Sequence, residues 1–255
     1  MISMMVQDSI HILGVRIDAE KIDQARQKVR EFLHSESQHT IITPNPEILV
    51  LAHRNKQFRD VLNRGSLNLC DGKGIELVAR GKVKRIPGID FMLDICKIAT
   101  EEGKSVYLLG SGSREVVERT RSNLTVMYLG LKIVGAQKGP KIGRLKDWKI
   151  EENNSLVDDI RSKSPDILFV AFGHGKQELW IDTYLKELPS VKIAMGVGGA
   201  FDFISGKIPR APQWMRAMGL EWLWRLFRQP WRAGRIWNAT VKFLFFVFLE
   251  KFYKE

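Results

Sequence analysis

One carboxylate, Asp71, occurs in a setting suited to acid–base chemistry, within the run Cys70-Asp71-Gly72-Lys73-Gly74. The apolar stretch before it predicts a strand that ends at Cys70. A carboxylate at a strand end, beside glycines that let a substrate approach the backbone, can accept a proton from a bound hydroxyl group. An Asp-Gly pair is more often a turn in which the aspartate bonds to its own backbone, by roughly two to one. The pattern therefore leaves a general base and a turn residue as alternatives.

A second polar group, Thr43-Pro44-Asn45-Pro46-Glu47, follows another predicted strand and opens a predicted helix. Open α/β sheets bind their ligands at the carboxyl ends of strands, and the first turn of a helix offers unpaired N–H groups there. Thr43 and Asn45 could equally serve only as caps of that helix. Spacing alone does not decide between a ligand site and a cap.

Three glycine-rich stretches lie at other predicted strand ends, at residues 110–113 (GSGS), 173–178 (GHGKQE) and 196–203 (GVGGAFDF). Loops of this kind bind phosphate groups, although a short glycine turn is also the ordinary link between a strand and a helix. His174 has no second histidine at the spacing of metal ligands. The chain also contains no Asp-x-Asp pair that could hold a metal ion on a diphosphate, so arginine, lysine and backbone amides would have to neutralise one.

The C-terminal segment, residues 207–255, concentrates positive charge and tryptophan. It contains ten Lys and Arg against three Glu, which gives +7 of the chain's net charge of +11, and five of the seven tryptophans. Three of its arginines, Arg225, Arg232 and Arg235, could bind a diphosphate bidentately. The alternative is a general attraction to anionic lipid headgroups. Cationic and aromatic side chains together favour a membrane surface.

The elements that must position these residues alternate between short β-branched runs and longer helical periods. This alternation predicts an α/β, Rossmann-like layered fold with a largely parallel sheet. The predicted strands are Ile10–Ile17, Thr40–Thr43, Leu67–Cys70, Ser105–Leu109, Leu131–Val134, Asp166–Phe172 and Val191–Val197. The predicted helices are Ala19–Ser35, Glu47–Arg64, Ile89–Glu102, Arg114–Tyr128, Glu152–Lys163, Gln177–Glu187 and Gln213–Arg228, with Asp18 and Ser113 as candidate N-caps.

The chain is interpreted as two domains, an α/β domain over residues 1–206 and a helical, membrane-binding appendage over residues 207–255. The apolar run Ala239–Leu249 is interrupted by Lys242 and is shorter than the ~20 residues that a bilayer-spanning helix needs. It is therefore expected to lie on the membrane or to pack on a partner. Cys70 and Cys96 form no CxxC motif, and no signal-peptide pattern opens the chain, so a reducing, cytoplasmic setting is expected.

Other function classes fit the pattern less well. The pI of about 9.7 would suit a nucleic-acid-binding protein, but the basic residues alternate with Trp, Leu and Phe and form no recognition motif. A dehydrogenase would need a dinucleotide fingerprint after the first strand, which Gly14-Val15-Arg16 does not supply. A non-catalytic membrane scaffold stays open as an alternative.

The motifs, taken in order, resemble those of the WecG/TagA/CpsF family, glycosyltransferase family 26. The matching blocks are TPNPE (43–47), DGKG (71–74), KRIPGID (84–90), GKQELWI (175–181) and residues 196–232. The resemblance covers the chain from about Leu13 to Arg235. It departs from the family pattern at Gly175, where a proline is frequent, and in a more apolar extension after Arg235.

This resemblance implies a role for each matching residue. It assigns Asp71 and Thr43 to catalysis, with Asp71 as the general base on the acceptor hydroxyl. It assigns substrate binding to Asn45, Gln177, Arg85, Arg225, Arg232 and Arg235, of which the arginines would hold a diphosphate.

The resemblance also implies the substrates and partners. It indicates an inverting transferase that moves an N-acetylmannosamine-type sugar from a UDP donor to undecaprenyl-diphosphate-linked N-acetylglucosamine, for teichoic acid or another cell-surface polysaccharide. Donors such as UDP-glucose or UDP-N-acetylmannosaminuronate occur in the same family. The expectation is a metal-independent enzyme without a cofactor, peripheral at the cytoplasmic face of the membrane and with no nucleic-acid partner. A homo-oligomer is left open.

Overall fold

The structure, a computed structural model, describes residues 8–110, 113–140 and 154–252, and of Arg232 it describes the backbone only. The strands are β1 Ser9–Ile12, β2 Val15–Asp18, β3 His39–Ile42, β4 Leu67–Asn68, β5 Ser105–Gly110, β6 Lys132–Gln137, β7 Ile167–Ala171 and β8 Ile193–Gly196. The α-helices are α1 Ile22–His34, α2 Pro46–Arg54, α3 Lys56–Arg64, α4 Lys73–Val78, α5 Gly88–Glu101, α6 Arg114–Met127, α7 Asn154–Lys163, α8 Lys176–Tyr184, α9 Ala200–Ile204, α10 Gln213–Ala217, α11 Glu221–Arg228, α12 Ala233–Trp237 and α13 Phe243–Phe252. Single 3₁₀ turns cover Leu185–Glu187 and Pro230–Arg232, and a π-helical turn covers Asn238–Lys242.

The chain forms two compact units, and each unit is assembled from separate stretches of sequence. The first unit comprises Met1–Ile22, Thr43–Pro87 and Ala211–Glu255, and the second comprises Asp23–Ile42 and Gly88–Arg210. The predicted division of the chain into residues 1–206 and 207–255 stays a prediction.

The second unit contains a parallel sheet in the strand order β3-β8-β7-β5-β6. Every residue of β7 is buried, as expected for a strand whose two faces are both covered. Helices α7 and α8 pack around the sheet with Tyr107 and Trp180 among the fully buried side chains. The predicted α/β class with a largely parallel sheet is confirmed.

The first unit begins with a β-hairpin where the pattern predicted one strand, Ile10–Ile17. Strands β1 and β2 pair antiparallel, with Ile12 opposite Val15. The two residues between them, Leu13 and Gly14, have φ angles of 53° and 77°, the left-handed conformation that two-residue hairpin turns require. The single-strand prediction was wrong because apolar residues continue on both sides of the turn, although the adjacent pair Ile12 and Leu13 already shifts the alternation by one position.

Two long predicted helices are each divided by one residue. Helix Glu47–Arg64 is divided at Asn55, which ends α2 and whose side chain caps α3 by accepting a hydrogen bond from the Phe58 amide at 3.0 Å. Helix Gln213–Arg228 is interrupted at Gly219, which has a φ of 76°. Short polar side chains and glycine end helices in this way.

Asp18 was predicted to cap the first helix. It is instead the last residue of β2, and α1 begins only at Ile22. Its carboxylate is 2% exposed and accepts a hydrogen bond from the Asn68 amide at 2.8 Å. The carboxylate also lies 2.9 Å from Nε of Arg16, as an ion pair. The guanidinium of Arg16 in turn donates to the Gly65 carbonyl. Asp18 therefore joins the hairpin to the segment that leads to β4.

Replacing Asp18 with Ala is expected to lower the free energy of unfolding by about 3–5 kcal/mol, because it leaves the half-buried Arg16 without its counter-ion and the Asn68 amide without an acceptor. Chemical denaturation monitored by tryptophan fluorescence measures the change. Asp60→Ala is the control, since Asp60 forms an exposed ion pair with Lys56 that contributes little. Equal effects of the two substitutions would contradict the role given to Asp18.

Candidate active site

The Asp71 loop and the segment that opens α2 are in direct contact. The Asp71 amide donates to the Pro44 carbonyl at 2.9 Å. Gly72 leaves no room for a side chain, since a Cβ there would clash with the ring of Pro46. The Cys70 carbonyl accepts from the Ile86 amide at 2.7 Å. Three of the sequence blocks that the motifs identified therefore converge on the backbone around Asp71.

The Asn45 side chain caps α2, as one of the two alternatives predicted. Its side-chain oxygen accepts from the Ile48 amide at 3.0 Å, and Pro46 occupies the first turn. Thr43 is half-buried one residue beyond β3. The cap explains the position of Asn45, and substrate contact by Thr43 and Asn45 stays a prediction.

The glycines after Asp71 begin a helix, α4, that the sequence did not predict. Gly72 is its N-cap residue, and Lys73 forms an ion pair with Glu76 at 2.6 Å. The hydrogen bond from Lys73 holds the pKa of Glu76 below its usual range. Burial raises the pKa of the Cys70 thiol to about 12, so Cys70 stays protonated and is not a nucleophile. Asp71, directly before the N-cap residue of this helix, is a half-buried carboxylate.

The C-terminal segment packs against the Asp71 loop within the same unit. A Cβ on Gly219, after α10, would lie 2.8 Å from Cβ of Lys73, and one on Gly74 would lie 3.6 Å from the ring of Phe243. Phe243 opens α13 and is 1% exposed. Gly219 thus permits a close approach of the segment to Lys73, and Phe243 packs at ordinary contact distance from Gly74.

The predicted diphosphate-binding arginines make specific contacts in the first unit. The Arg85 guanidinium donates to the Arg216 carbonyl at 2.6 Å, so it ties the segment before α5 to α10. Arg235 donates to both carboxylate oxygens of Glu47, at 2.7 and 2.9 Å. Arg225 lies half-buried on α11. The side chain of Arg232 lies outside the described part of the chain.

Sequence reasoning missed Glu47 as the partner of Arg235. The TPNPE block contains Glu47, but its pattern gives no signal for a partner that lies 188 residues away. The sequence signal for Glu47 is its position in the first turn of a helix, where the helix dipole favours a carboxylate.

In the second unit, Gln177 is buried and holds two loops together. Its side-chain oxygen accepts from the Gly198 amide at 2.8 Å, and its amide group donates to Glu178 at 2.8 Å. The Glu178 carboxylate also accepts from the Gly175 amide, and burial raises its pKa to about 7. Gln177 thus fixes the loops that follow β7 and β8, and substrate contact by Gln177 stays a prediction.

The carboxyl ends of β5, β7 and β8 carry glycines whose backbone is left-handed. Gly110, Gly173, Gly175 and Gly198 have φ angles of 108°, 84°, 82° and 52°. Loops of this kind turn backbone N–H groups toward a ligand and suit an anion. Residues 111 and 112 of the GSGS stretch lie outside the described residues. In the described ranges no three His, Cys, Asp or Glu side chains are grouped as metal ligands would be.

The last helix, α13, has an inner and an outer face. On the inner face, the ring of Phe246 lies 4.7 Å from His53 and under the guanidinium of Arg54, and Glu250 accepts from the Leu13 amide at 2.8 Å. The outer face, with the turn before it, exposes apolar side chains at helical spacing: Trp237, Val241, Leu244, Phe245, Phe248 and Phe252, each 44–64% exposed. Over the described ranges, every helix falls short of the length and apolarity needed to cross a bilayer.

Comparison with known proteins identifies the family. The sequence model of the WecG/TagA/CpsF glycosyl transferase family matches residues 10–255. The N-acetylglucosaminyldiphosphoundecaprenol N-acetyl-beta-D-mannosaminyltransferase of Bacillus subtilis (strain 168) is 32% identical over 200 residues, which cover 77% of this chain and 74% of that protein. The enzyme of the same name from Staphylococcus aureus (strain MW2) is 31% identical over 239 residues, 91% of this chain and 89% of that protein. The chain, whose Asp71 loop contacts Pro44 and Pro46, belongs to the WecG/TagA/CpsF family and is a glycosyltransferase.

Proposed function

We propose that this glycosyltransferase moves N-acetylmannosamine from a UDP donor onto N-acetylglucosamine linked to undecaprenyl diphosphate. The names of the Bacillus and Staphylococcus relatives support this acceptor and this sugar. The observation that carries the proposal is the Asp71 loop, held by the Pro44 carbonyl and by Gly72 against Pro46. Membership in an enzyme family favours an enzyme over a membrane scaffold.

In the proposed reaction the acceptor hydroxyl attacks the anomeric carbon of the donor sugar. A bond forms between the acceptor oxygen and that carbon, and the bond from the carbon to the UDP oxygen breaks. Asp71 takes the hydroxyl proton, and UDP leaves with the bonding electrons. Inversion follows if base and leaving group lie on opposite faces of the sugar.

The negative charge on the departing UDP needs a cationic partner. We assign this role to Arg85, Arg225, Arg232 and Arg235, whose guanidinium groups stay charged and bind phosphate bidentately. No metal is required in this scheme. In the structure Arg85 and Arg235 already lie on elements that contact the Asp71 loop or α2.

The outer face of α13 is proposed to lie on the cytoplasmic membrane surface, where the lipid-linked acceptor is found. Aromatic and aliphatic side chains there are exposed, and the C-terminal segment carries most of the chain's net positive charge. Helices with such a composition bind in the plane of anionic bilayers.

A donor screen tests the proposed function, including its metal independence. The purified protein is given UDP-N-acetylmannosamine, UDP-glucose or UDP-N-acetylmannosaminuronate, with a synthetic prenyl-diphosphate-linked N-acetylglucosamine as acceptor. We expect transfer with the first donor, at the same rate after EDTA treatment, because arginines and not a metal ion balance the diphosphate charge. Product from another donor alone would replace the proposed sugar, and a strict need for divalent metal would contradict the arginine role.

A further inference from the structure

Glu47 and Arg235 form a two-point ion pair in the first unit. Nε of Arg235 lies 2.7 Å from one carboxylate oxygen of Glu47, and Nη2 lies 2.9 Å from the other. The Glu47 side chain is 16% exposed and that of Arg235 is 42% exposed. A partly buried, bidentate pair of this kind holds its geometry better than a single exposed contact.

The pair is connected to the Asp71 loop through the two prolines that precede Glu47. Glu47 directly follows Pro46, which packs on Gly72, and Pro44 accepts the Asp71 amide. Arg235 belongs to α12, so the ion pair joins this helix to the segment that touches the Asp71 loop. The carboxylate therefore determines where the guanidinium sits relative to the backbone around Asp71.

A guanidinium group carries five N–H donors and binds carboxylate and phosphate groups alike, and Glu47 accepts from one N–H of Nε and one of Nη2. An arginine that stabilises the charge developing on the departing UDP contributes most if its guanidinium is already held in place before the reaction. Glu47 fixes Arg235 before a diphosphate arrives.

We propose that Glu47 is a positioning residue that holds Arg235 and α12 beside the Asp71 loop, ready for the UDP diphosphate. This inference rests on the proposed function for the identity of the diphosphate. Glu47 itself contacts neither substrate nor the reacting atoms in this scheme.

The substitution Glu47→Gln tests the proposal, since it keeps the size of the side chain and removes its charge. We expect kcat to fall about tenfold, because loss of a charge-assisted pair is worth about one order of magnitude, while KM for the UDP-sugar changes little. Hydrogen exchange of the amides of residues 233–242 is expected to become faster in the same variant. Asp60→Asn is the matched control, since it removes a carboxylate from the exposed pair with Lys56 in the same unit.

A charge swap separates positioning from simple attachment. The double variant Glu47→Arg with Arg235→Glu is expected to regain slow hydrogen exchange in residues 233–242 but not turnover, because the guanidinium would then come from α2. If this double variant also regained turnover, the ion pair would serve only to attach α12 to α2. That result would overturn the proposal. Wild-type exchange and turnover in Glu47→Gln, or an equal loss in Asp60→Asn, would also overturn it.

The exchange measurement keeps this inference separate from the proposed function. If the wild-type protein transfers no sugar, the proposed function fails, and the exchange rates still report whether Glu47 holds α12. If the wild-type protein is active and exchange in Glu47→Gln is unchanged, the positioning role alone fails.

Discussion

Asp71→Asn is expected to lower the turnover of sugar transfer by about 10²–10⁴-fold, the usual contribution of a general base. The amide has the shape of the carboxylate but cannot take the acceptor proton. The loop itself should stay folded, because the Asp71 amide, the Cys70 carbonyl and the packing of Gly72 on Pro46 hold its backbone.

Turnover of this variant is measured with the lipid-linked acceptor and the donor selected by the screen, and UDP binding is measured by calorimetry. We expect UDP affinity close to that of the wild type, so that the loss falls on the chemical step. Asp23→Asn, at an exposed position on α1, is the control for a charge change. Wild-type turnover by Asp71→Asn would rule out Asp71 as the base.

A double substitution on the outer face of α13, Phe245→Glu with Phe248→Glu, is expected to reduce binding to anionic vesicles by at least about 10²-fold. Each phenylalanine loses about 1.5–3 kcal/mol of burial in the lipid, and each added carboxylate is repelled by the anionic surface by about 1 kcal/mol. Both residues are exposed, at 56% and 58%. The fold should therefore tolerate the change.

Co-sedimentation with vesicles that contain an anionic lipid measures the binding. The matched control is Val126→Glu with Leu129→Glu, which removes two exposed apolar side chains, 76% and 86% exposed, from the second unit. This control should bind as the wild type does. If both double variants bind equally well, the outer face of α13 is not the membrane-binding surface.

The sequence predicted the central strands of the second unit well, because β5, β7 and β8 are nearly continuous apolar runs such as Ile167–Ala171. Local pattern failed where one residue redirects the chain. Asn55 divides a continuous helical period, and the left-handed pair Leu13 and Gly14 reverses the chain within a run that is apolar-rich on both sides of the turn. Helix α4 escaped prediction because Gly72 and Gly74, which make room for the ring of Pro46, weaken the helical pattern.

The candidate site could be predicted only in part. Spacing marked Asp71 and Asn45 as residues at strand ends, and family resemblance ranked their roles. The contacts of Asp71 with Pro44, of Arg85 with Arg216 and of Arg235 with Glu47 join distant parts of the chain. Periodicity over a short window carries no information on such pairs, so their partners had to come from the structure.

The order of synthesis has a consequence for a unit assembled from three stretches of sequence. Leu13 pairs with Glu250 and Glu47 with Arg235, across 237 and 188 residues. Contacts of such long sequence separation form late, since the ribosome adds only about 5–20 residues per second. The elements α10, α12 and α13 therefore join this unit only after they have left the ribosome, long after the Asp71 loop has been synthesised. A chain that stops short of Phe243 would lack the ring that packs on Gly74, so the surroundings of the Asp71 loop stay incomplete until that residue has been synthesised.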